Sequence, residues 1–243
     1  SRQLINNDVG LMDVNEIKSA IREDNVHYPI TSAISLENTH NMCFGSPIHI
    51  DYISSVSDIA KENNLKLHVD GARIFNAAVS LNIDVKDLVN NVDSVTFCLS
   101  KGLAGPIGSI ICGSEEFIFK ARRHRKALGG GMRQAGIIAS AGIIALDNYK
   151  LQIKEDHENA RLVADGISNI NGLYIQSKHI KTNIIFFELR TDKISAKELL
   201  IKMLSKGIKF LETSPNQFRL VTHFGITKSD ISKTLIELDK CIN

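Results

Sequence analysis

Two apolar segments constrain this chain more than any other part of it: Leu65-Lys-Leu-His-Val-Asp-Gly-Ala-Arg73 and Phe97-Cys-Leu-Ser-Lys-Gly102. Each reads as a short buried strand. The first ends at Asp70, with Arg73 three residues on; the second ends at Ser100-Lys101-Gly102. A helical stretch from Ile74 to Leu81 lies between them, and strand, helix, strand is the pattern of a parallel crossover unit. Parallel sheets bind ligands outside the carboxyl ends of their strands. A carboxylate and a lysine therefore fall on one rim of one sheet. A cofactor carrying an aldehyde and a basic ring nitrogen needs such a pair: the amine for the aldehyde, the carboxylate to keep the ring nitrogen protonated.

The flanking pattern agrees. Asp13-Val-Asn-Glu16 has the spacing of a capping box and opens a helix through Ile17 and Ile21. Strands are expected at 32–36, 65–69, 94–99 and 107–112, and helices at 51–62 and 74–81. The connection from Lys101 to Ile107 is too short for a crossover helix, so the strand at 107–112 is expected to be antiparallel. Ser114 caps a helix with Glu115-Glu116 in its first turn and Arg122-Arg-His-Arg-Lys126 near its end, charges that complement the helix dipole. Gly129-Gly-Gly131 interrupts it. A long apolar helix follows over about 132–149, and a separate helix over 155–167. Strand 183–189, helix 196–204, strands near Phe210 and Phe218, and helix 229–241 complete an α+β second half. The fold class is α/β, a mixed, mostly parallel sheet, with a large domain over 1–146 and a smaller C-terminal α+β domain over 147–243.

Composition excludes several alternatives. The 243 residues are 43% hydrophobic and carry a net charge of +2, ordinary values that give no strong pull toward nucleic acid or acidic lipid. No apolar run approaches the ~18 residues of a membrane span. Cys43, Cys98, Cys112 and Cys241 are scattered, without metal-ligand spacing, so no metal site is expected. Cys98 and Cys112, in apolar strands, read as buried thiols. No signal or transit segment stands out, and the expected location is cytoplasmic. The chain opens Ser1-Arg-Gln-Leu without a Met, which reads as processed, trimmed or a fragment.

Each candidate residue has a plainer reading beside the chemical one. Lys101 is either a surface lysine or an amine emerging from a core strand, its pKa lowered by burial beside another cation. Asp70 suits helix capping as well as it suits a ring nitrogen. Arg73 is a first-turn surface residue or shares the rim with Asp70. Gly129-Gly-Gly-Met-Arg-Gln134 is a helix break, or a set of exposed N–H groups for an anion, with Arg133 adding charge. The basic run 122–126 lacks interleaved aromatics and reads mainly as a solvated helix face. Arg219 is an exposed strand residue or the partner of a substrate carboxylate. His27, His40 and His223 are individually weak signals.

Together, Ser35-Leu-Glu-Asn-Thr-His-Asn41, Leu67-His-Val-Asp-Gly-Ala-Arg-Ile-Phe-Asn-Ala77, Phe97-Cys-Leu-Ser-Lys-Gly-Leu103, Arg125-Lys126, Gly129-Gly-Gly-Met-Arg-Gln134 and Arg219-Leu-Val-Thr-His223 resemble, in order, the threonine aldolase/β-eliminating lyase family of fold-type I pyridoxal-phosphate (PLP) enzymes. The resemblance implies a PLP-dependent transferase-like fold, with Lys101 as the Schiff-base lysine and Asp70 at the pyridine nitrogen. It implies Arg73 beside the ring, Lys126 and Arg133 near the phosphate, Arg219 on the substrate carboxylate, and His27 near the substrate hydroxyl as a catalytic group. The implied activity is a lyase that cleaves L-threonine or L-allo-threonine to glycine and acetaldehyde, in threonine catabolism and glycine biosynthesis, as a homodimer or homotetramer. A related lyase on another β-substituted amino acid, or a truncated non-catalytic subunit, are the alternatives. The family's N-terminal portion, with its phosphate loop and ring-stacking histidine, has no counterpart in these residues, so the resemblance implies an incomplete chain.

Overall fold

The first helix, α1 (Val14–Ala20), begins where the sequence predicts because the Asp13 carboxylate accepts the N–H groups of Asn15 (2.7 Å) and Glu16 (3.1 Å). It ends one residue earlier than the apolar spacing suggests, since Ile21 is already extended. The computed structural model describes residues 1–243. The chain divides into two units, residues 1–43 with 47–149 and residues 44–46 with 150–243.

The first unit is built on a four-stranded sheet of β1 (Ala33–Glu37), β2 (Lys66–Asp70), β3 (Ser94–Cys98) and β4 (Ser109–Gly113), in that spatial order. The first three strands are parallel, and β4 runs antiparallel to β3, as the short connection after Lys101 requires. Leu67 and Val69 point into the core while Lys66 and Asp70 do not, the period-two pattern of a strand with one committed face. Helix α2 (Ile50–Glu62) buries Ile53, Val56, Ile59 and Ala60, a stripe at helical spacing. Helix α3 (Ile74–Leu81) buries Ile74, Phe75, Asn76, Ala77 and Ala78. The short α4 (Val85–Leu88) is unanticipated, being too brief for a periodic signal; the Asp84 side chain starts it by accepting the Lys86 N–H at 2.9 Å.

Two expectations need correction here. Cys112 is exposed and Cys98 only half-buried. Strand β4 is the sheet edge, and all five of its residues are exposed, so an apolar strand composition does not translate into burial. Helix α5 (Glu115–Ala127), capped by Ser114 Oγ accepting the Phe117 N–H at 3.3 Å, likewise buries no residue. The second correction concerns α6, which is one continuous helix over Gly136–Ser168. Residues 150–154, read as a break, are Lys-Leu-Gln-Ile-Lys, all competent helix formers with no Gly or Pro to stop them.

The second unit carries β5 (Leu173–Ile175), β6 (Ile184–Leu189), β7 (Leu211–Ser214) and β8 (Gln217–Val221) in a wholly antiparallel sheet of order β5-β6-β8-β7. Helices α7 (Ala196–Ser205) and α8 (Lys228–Ile242) both start at full capping boxes, Ser195 with Glu198 and Thr227 with Asp230. Their apolar faces join residues 160–167 of α6 over the sheet, burying Leu199, Met203, Ile231 and Leu238. A Cβ on Gly166 would collide with the Leu235 side chain, so the glycine leaves room for Leu235 of α8 to pack against α6. At the centre Phe218 stacks on Phe187 at 5.2 Å and meets Phe210 edge-on at 5.4 Å. Phe218 is fully buried, so Phe218→Ala is expected to cost about 3–5 kcal/mol of stability in urea unfolding. A loss below ~1 kcal/mol would show that the ring cluster does not anchor this core.

Candidate active site

Adjacent parallel strands deliver the two residues that the sequence singled out. Glu37 of β1, Asp70 of β2 and Thr96 of β3 are register partners across the sheet, so Asp70 sits at the centre of the carboxyl rim. The ladder continues one residue further: the Gly71 N–H donates to Thr96 O at 2.8 Å. A Cβ at Gly71 would stand 2.8 Å from that oxygen and 2.9 Å from Ile74 Cβ, so only glycine allows this approach. Asp70 then uses Oδ1 to accept the Ala72 N–H at 3.1 Å, which closes a local turn and aims the exposed carboxylate outward. The helix-capping alternative is thereby removed, because the N-cap of α3 is Arg73, not Asp70. Arg73 is half-buried, and its Nη1 donates to Asn41 Oδ1 at 3.4 Å. Asn41 in turn donates its N–H to Glu37 Oε1 at 3.0 Å, and the His40 Nε2 lies 3.7 Å from Glu37 Oε2.

Lys101 follows β3 in a tight turn. The Ala104 N–H donates to Lys101 O at 2.9 Å, and the Gly105 N–H to Leu99 O at 2.8 Å. Leu99 and Leu103, 6% and 2% exposed, pin the turn on both sides of the lysine. The side chain of Lys101 itself is exposed, so the expected burial beside a second cation is not met. Asp70, Arg73 and Lys101 thus come together on one rim. Lys126 and Arg133 lie elsewhere in the same unit, exposed, in the last turn of α5 and the loop after it. There the Gly129 N–H donates to Lys126 O and the Gly130 N–H to Arg125 O, folding the glycine run back on the basic turn. A Cβ on Gly131 would stand 2.5 Å from Lys126 Cδ. His27 is exposed in the loop that feeds the amino end of β1, its backbone N–H bonded to Asn25 Oδ1.

An amine, an outward carboxylate and a guanidinium on one rim, beside the sterically closed Gly71, form a donor set that fits PLP. Lys101 would hold its aldehyde carbon and Asp70 its ring nitrogen, whereas Lys126 and Arg133 are not brought to this rim. Among the described residues no group of three His, Cys, Asp or Glu could hold a metal ion.

In the second unit Arg219 lies on β8, half-buried, paired with Phe186 of β6 and Leu211 of β7. The end of its strand is stapled. Thr222 Oγ1 donates to Asp156 O at 2.6 Å, and the Thr222 N–H to Asn183 O at 3.0 Å. Asn183 Nδ2 returns a bond to Thr222 O at 2.8 Å. Sequence reading passed over Asp156 and His157, which are both 2% exposed. Although their immediate neighbours are polar, both fall at helical spacing between Ile153 and Ala160, on the face that α6 buries, and that spacing is the available signal. Burial pushes the Asp156 carboxyl up to about 6, against the opposing pull of His223 and a Gln152 hydrogen bond. Burial, reinforced by Arg161, pushes His157 down to about 4.

These shifts act oppositely on stability. Native Asp156 holds its proton above the ordinary carboxylate range, so stability falls as pH rises from about 4 to about 6. Native His157 stays neutral where the unfolded chain protonates, so stability falls as pH drops from 6.5 to about 4. Across pH 4 to 6 the two slopes offset. The urea midpoint of Asp156→Asn is expected to climb with pH in that window more steeply than the parent's, and that of His157→Gln to decline. Parallel profiles for both variants would rule out this pair as the source of the balance.

A family model described as beta-eliminating lyase matches residues 1–190. The chain is 40% identical over 242 residues to a probable low-specificity L-threonine aldolase 2 of Arabidopsis thaliana, covering 98% of this chain and 68% of that one. It is 37% identical over 224 residues to the low specificity L-threonine aldolase of Escherichia coli K12, covering 92% and 64%. The chain therefore spans about two thirds of the length of these curated relatives. A solved threonine aldolase structure from Leishmania major superposes with a TM-score of 0.75 at 18% identity, over 98% of this chain and 69% of the other, which shows the shared fold. The family model over residues 1–190 and the 40% identity to a curated relative make the chain a member of the beta-eliminating lyase family, on the fold of the type I PLP-dependent enzymes.

Proposed function

We propose that this protein is a carbon–carbon lyase of the low-specificity threonine aldolase type, cleaving L-threonine or L-allo-threonine to glycine and acetaldehyde with PLP. The observation that carries the reading is the delivery of Asp70 and Lys101 to one rim by neighbouring parallel strands. The names of the relatives support the substrate class. When bound, PLP supplies an electron sink for the pair released from the Cα–Cβ bond.

The chain's own residues then have distinct tasks. Lys101 Nζ would hold PLP at its aldehyde carbon, the amine being the group such chemistry needs. The Asp70 carboxylate would hold a proton on the ring nitrogen of PLP and so favour an electron-poor ring. Arg73 would flank the ring, while Lys126 and Arg133, which lie off this rim, would meet the phosphate at a neighbouring subunit's site. Arg219 grips the substrate carboxylate with its planar fork, orienting the scissile bond. A water, rather than His27, whose loop feeds the opposite end of β1, would remove the β-hydroxyl proton as acetaldehyde leaves, and a proton delivered to Cα completes glycine. In this reading the enzyme works in the cytoplasm as a homodimer or homotetramer, in threonine catabolism and glycine formation, with the cofactor held by the large N-terminal domain. No helix is long and apolar enough to cross a membrane.

The family description favours one other reading, a lyase acting on a different β-substituted amino acid. Coupled acetaldehyde detection with threonine separates the two: no acetaldehyde, with turnover of another β-substituted amino acid, would overturn the aldolase assignment. Lys101→Ala is expected to abolish the visible cofactor band and lower turnover on the order of 10³-fold or more. Retention of the band would sink the lysine assignment. Arg219→Lys is expected to raise KM on the order of tenfold with a smaller change in kcat, because the bidentate grip is lost.

A further inference from the structure

Asn76 is the one polar residue that α3 buries, and it is 0% exposed. Its backbone N–H donates to Arg73 O at 2.9 Å, which ties it to the turn that carries Asp70 and Arg73. Its side chain presses on Gly102. A Cβ built on Gly102 would overlap Asn76 Oδ1 and lie 3.1 Å from Cγ and 3.3 Å from Nδ2. Gly102 is itself buried and directly follows Lys101. A buried carboxamide carries a desolvation cost that an apolar side chain of similar size avoids, so its presence here calls for a role.

We propose that Asn76 is a positioning residue that seats the Gly102 peptide and thereby sets where the Lys101 amine stands relative to Asp70; this rests on the cofactor reading above. The physical route is short. The β2-to-α3 turn is fixed to β3 at Gly71–Thr96 (2.8 Å) and at the Cys98 N–H to Ala72 O (3.4 Å). Both of those contacts lie before the lysine. The Asn76–Gly102 contact reaches past it, with the buried Leu103 next in the chain. A planar amide against a side-chain-free peptide admits little slack: a smaller residue at 76 leaves the turn unsupported, and a larger one at 102 pushes it away. Misplacement of a reacting group by about 1 Å costs up to about 10²-fold.

The test compares Asn76→Ala, Gly102→Ala, their double variant and Ser57→Ala in the full chain. Ser57 is a control: it is 2% exposed, and its Oγ donates to Asn91 O before the amino end of β3, at the opposite end of the sheet. PLP is titrated into each, following the visible band for its dissociation constant and for the pH midpoint of its absorbance, with thermal melting alongside. Asn76→Ala and Gly102→Ala are each expected to weaken PLP binding on the order of tenfold and to move the pH midpoint. The double variant is expected to lose less than the product of the two, because the shortened side chain at position 76 makes room for the new Cβ. Ser57→Ala lowers melting while leaving both cofactor readouts in place. A dissociation constant and midpoint for Asn76→Ala within about twofold of the parent, or equal losses in Ser57→Ala, overturn the positioning role. If Asn76→Ala does not fold, Gly102→Ala alone decides by the same criterion. A parent protein without a Lys101-dependent band would overturn the cofactor reading and this inference together, whereas a normal parent band with an unaffected Asn76→Ala overturns the inference alone.

Discussion

The candidate site depends on β2 and β3 staying paired past the last residue of β2. The bond from the Gly71 N–H to Thr96 O carries the parallel ladder one step beyond Asp70, and then the chain turns into α3. Because β3 runs on through Phe97 and Cys98 while β2 has already turned, the two strands deliver their functional residues to different places on one rim. Glycine is the only residue that allows the turn, since any Cβ at position 71 would meet backbone oxygen on one side and Ile74 on the other.

Around this bond the site is held by packing and by backbone groups more than by ion pairs. Leu99 and Leu103 bury themselves on either side of Lys101 and leave its amine in solvent. Asp70 keeps one oxygen on Ala72, and Arg73 shares Asn41 with the end of β1. The surface ion pairs, such as Lys66 with Asp93 and Lys120 with Glu116, lie away from the rim and are exposed, where such pairs contribute little. The second unit secures Arg219 by a different device. Its strand is antiparallel, and its end is clamped through Thr222 to Asn183 and to the backbone of Asp156, a buried carboxyl that favours its neutral form.

Legibility in the sequence followed the range of the interaction concerned. Asp70 and Lys101 stood out because each ends an apolar run, and the antiparallel course of β4 followed from a connection too short for a helix. Asp13, Ser114 and Ser195 start helices through bonds to residues two or three positions on, so local spacing carries that information. Cys112 misled, because strand composition says nothing about whether a strand lies inside the sheet or at its edge. The break expected inside α6 does not occur because residues 150–154 contain no Gly or Pro and the backbone needs only residues that tolerate helix. Asn76 gave no signal, as one amide in an apolar helix does not announce its neighbour.

From the sequence alone came most strands and helices of the two units, the caps at Asp13 and Ser114 and the mixed sheet, all of which depend on periodicity and on hydrogen bonds between near neighbours. Only the tertiary structure decided that Lys101 stays in solvent, that Arg73 bonds to Asn41, that β4 lies bare, and that Asn76 packs against the turn after Lys101. Those outcomes turn on how residues far apart in the chain pack and exclude water, and no local pattern encodes which atoms will meet.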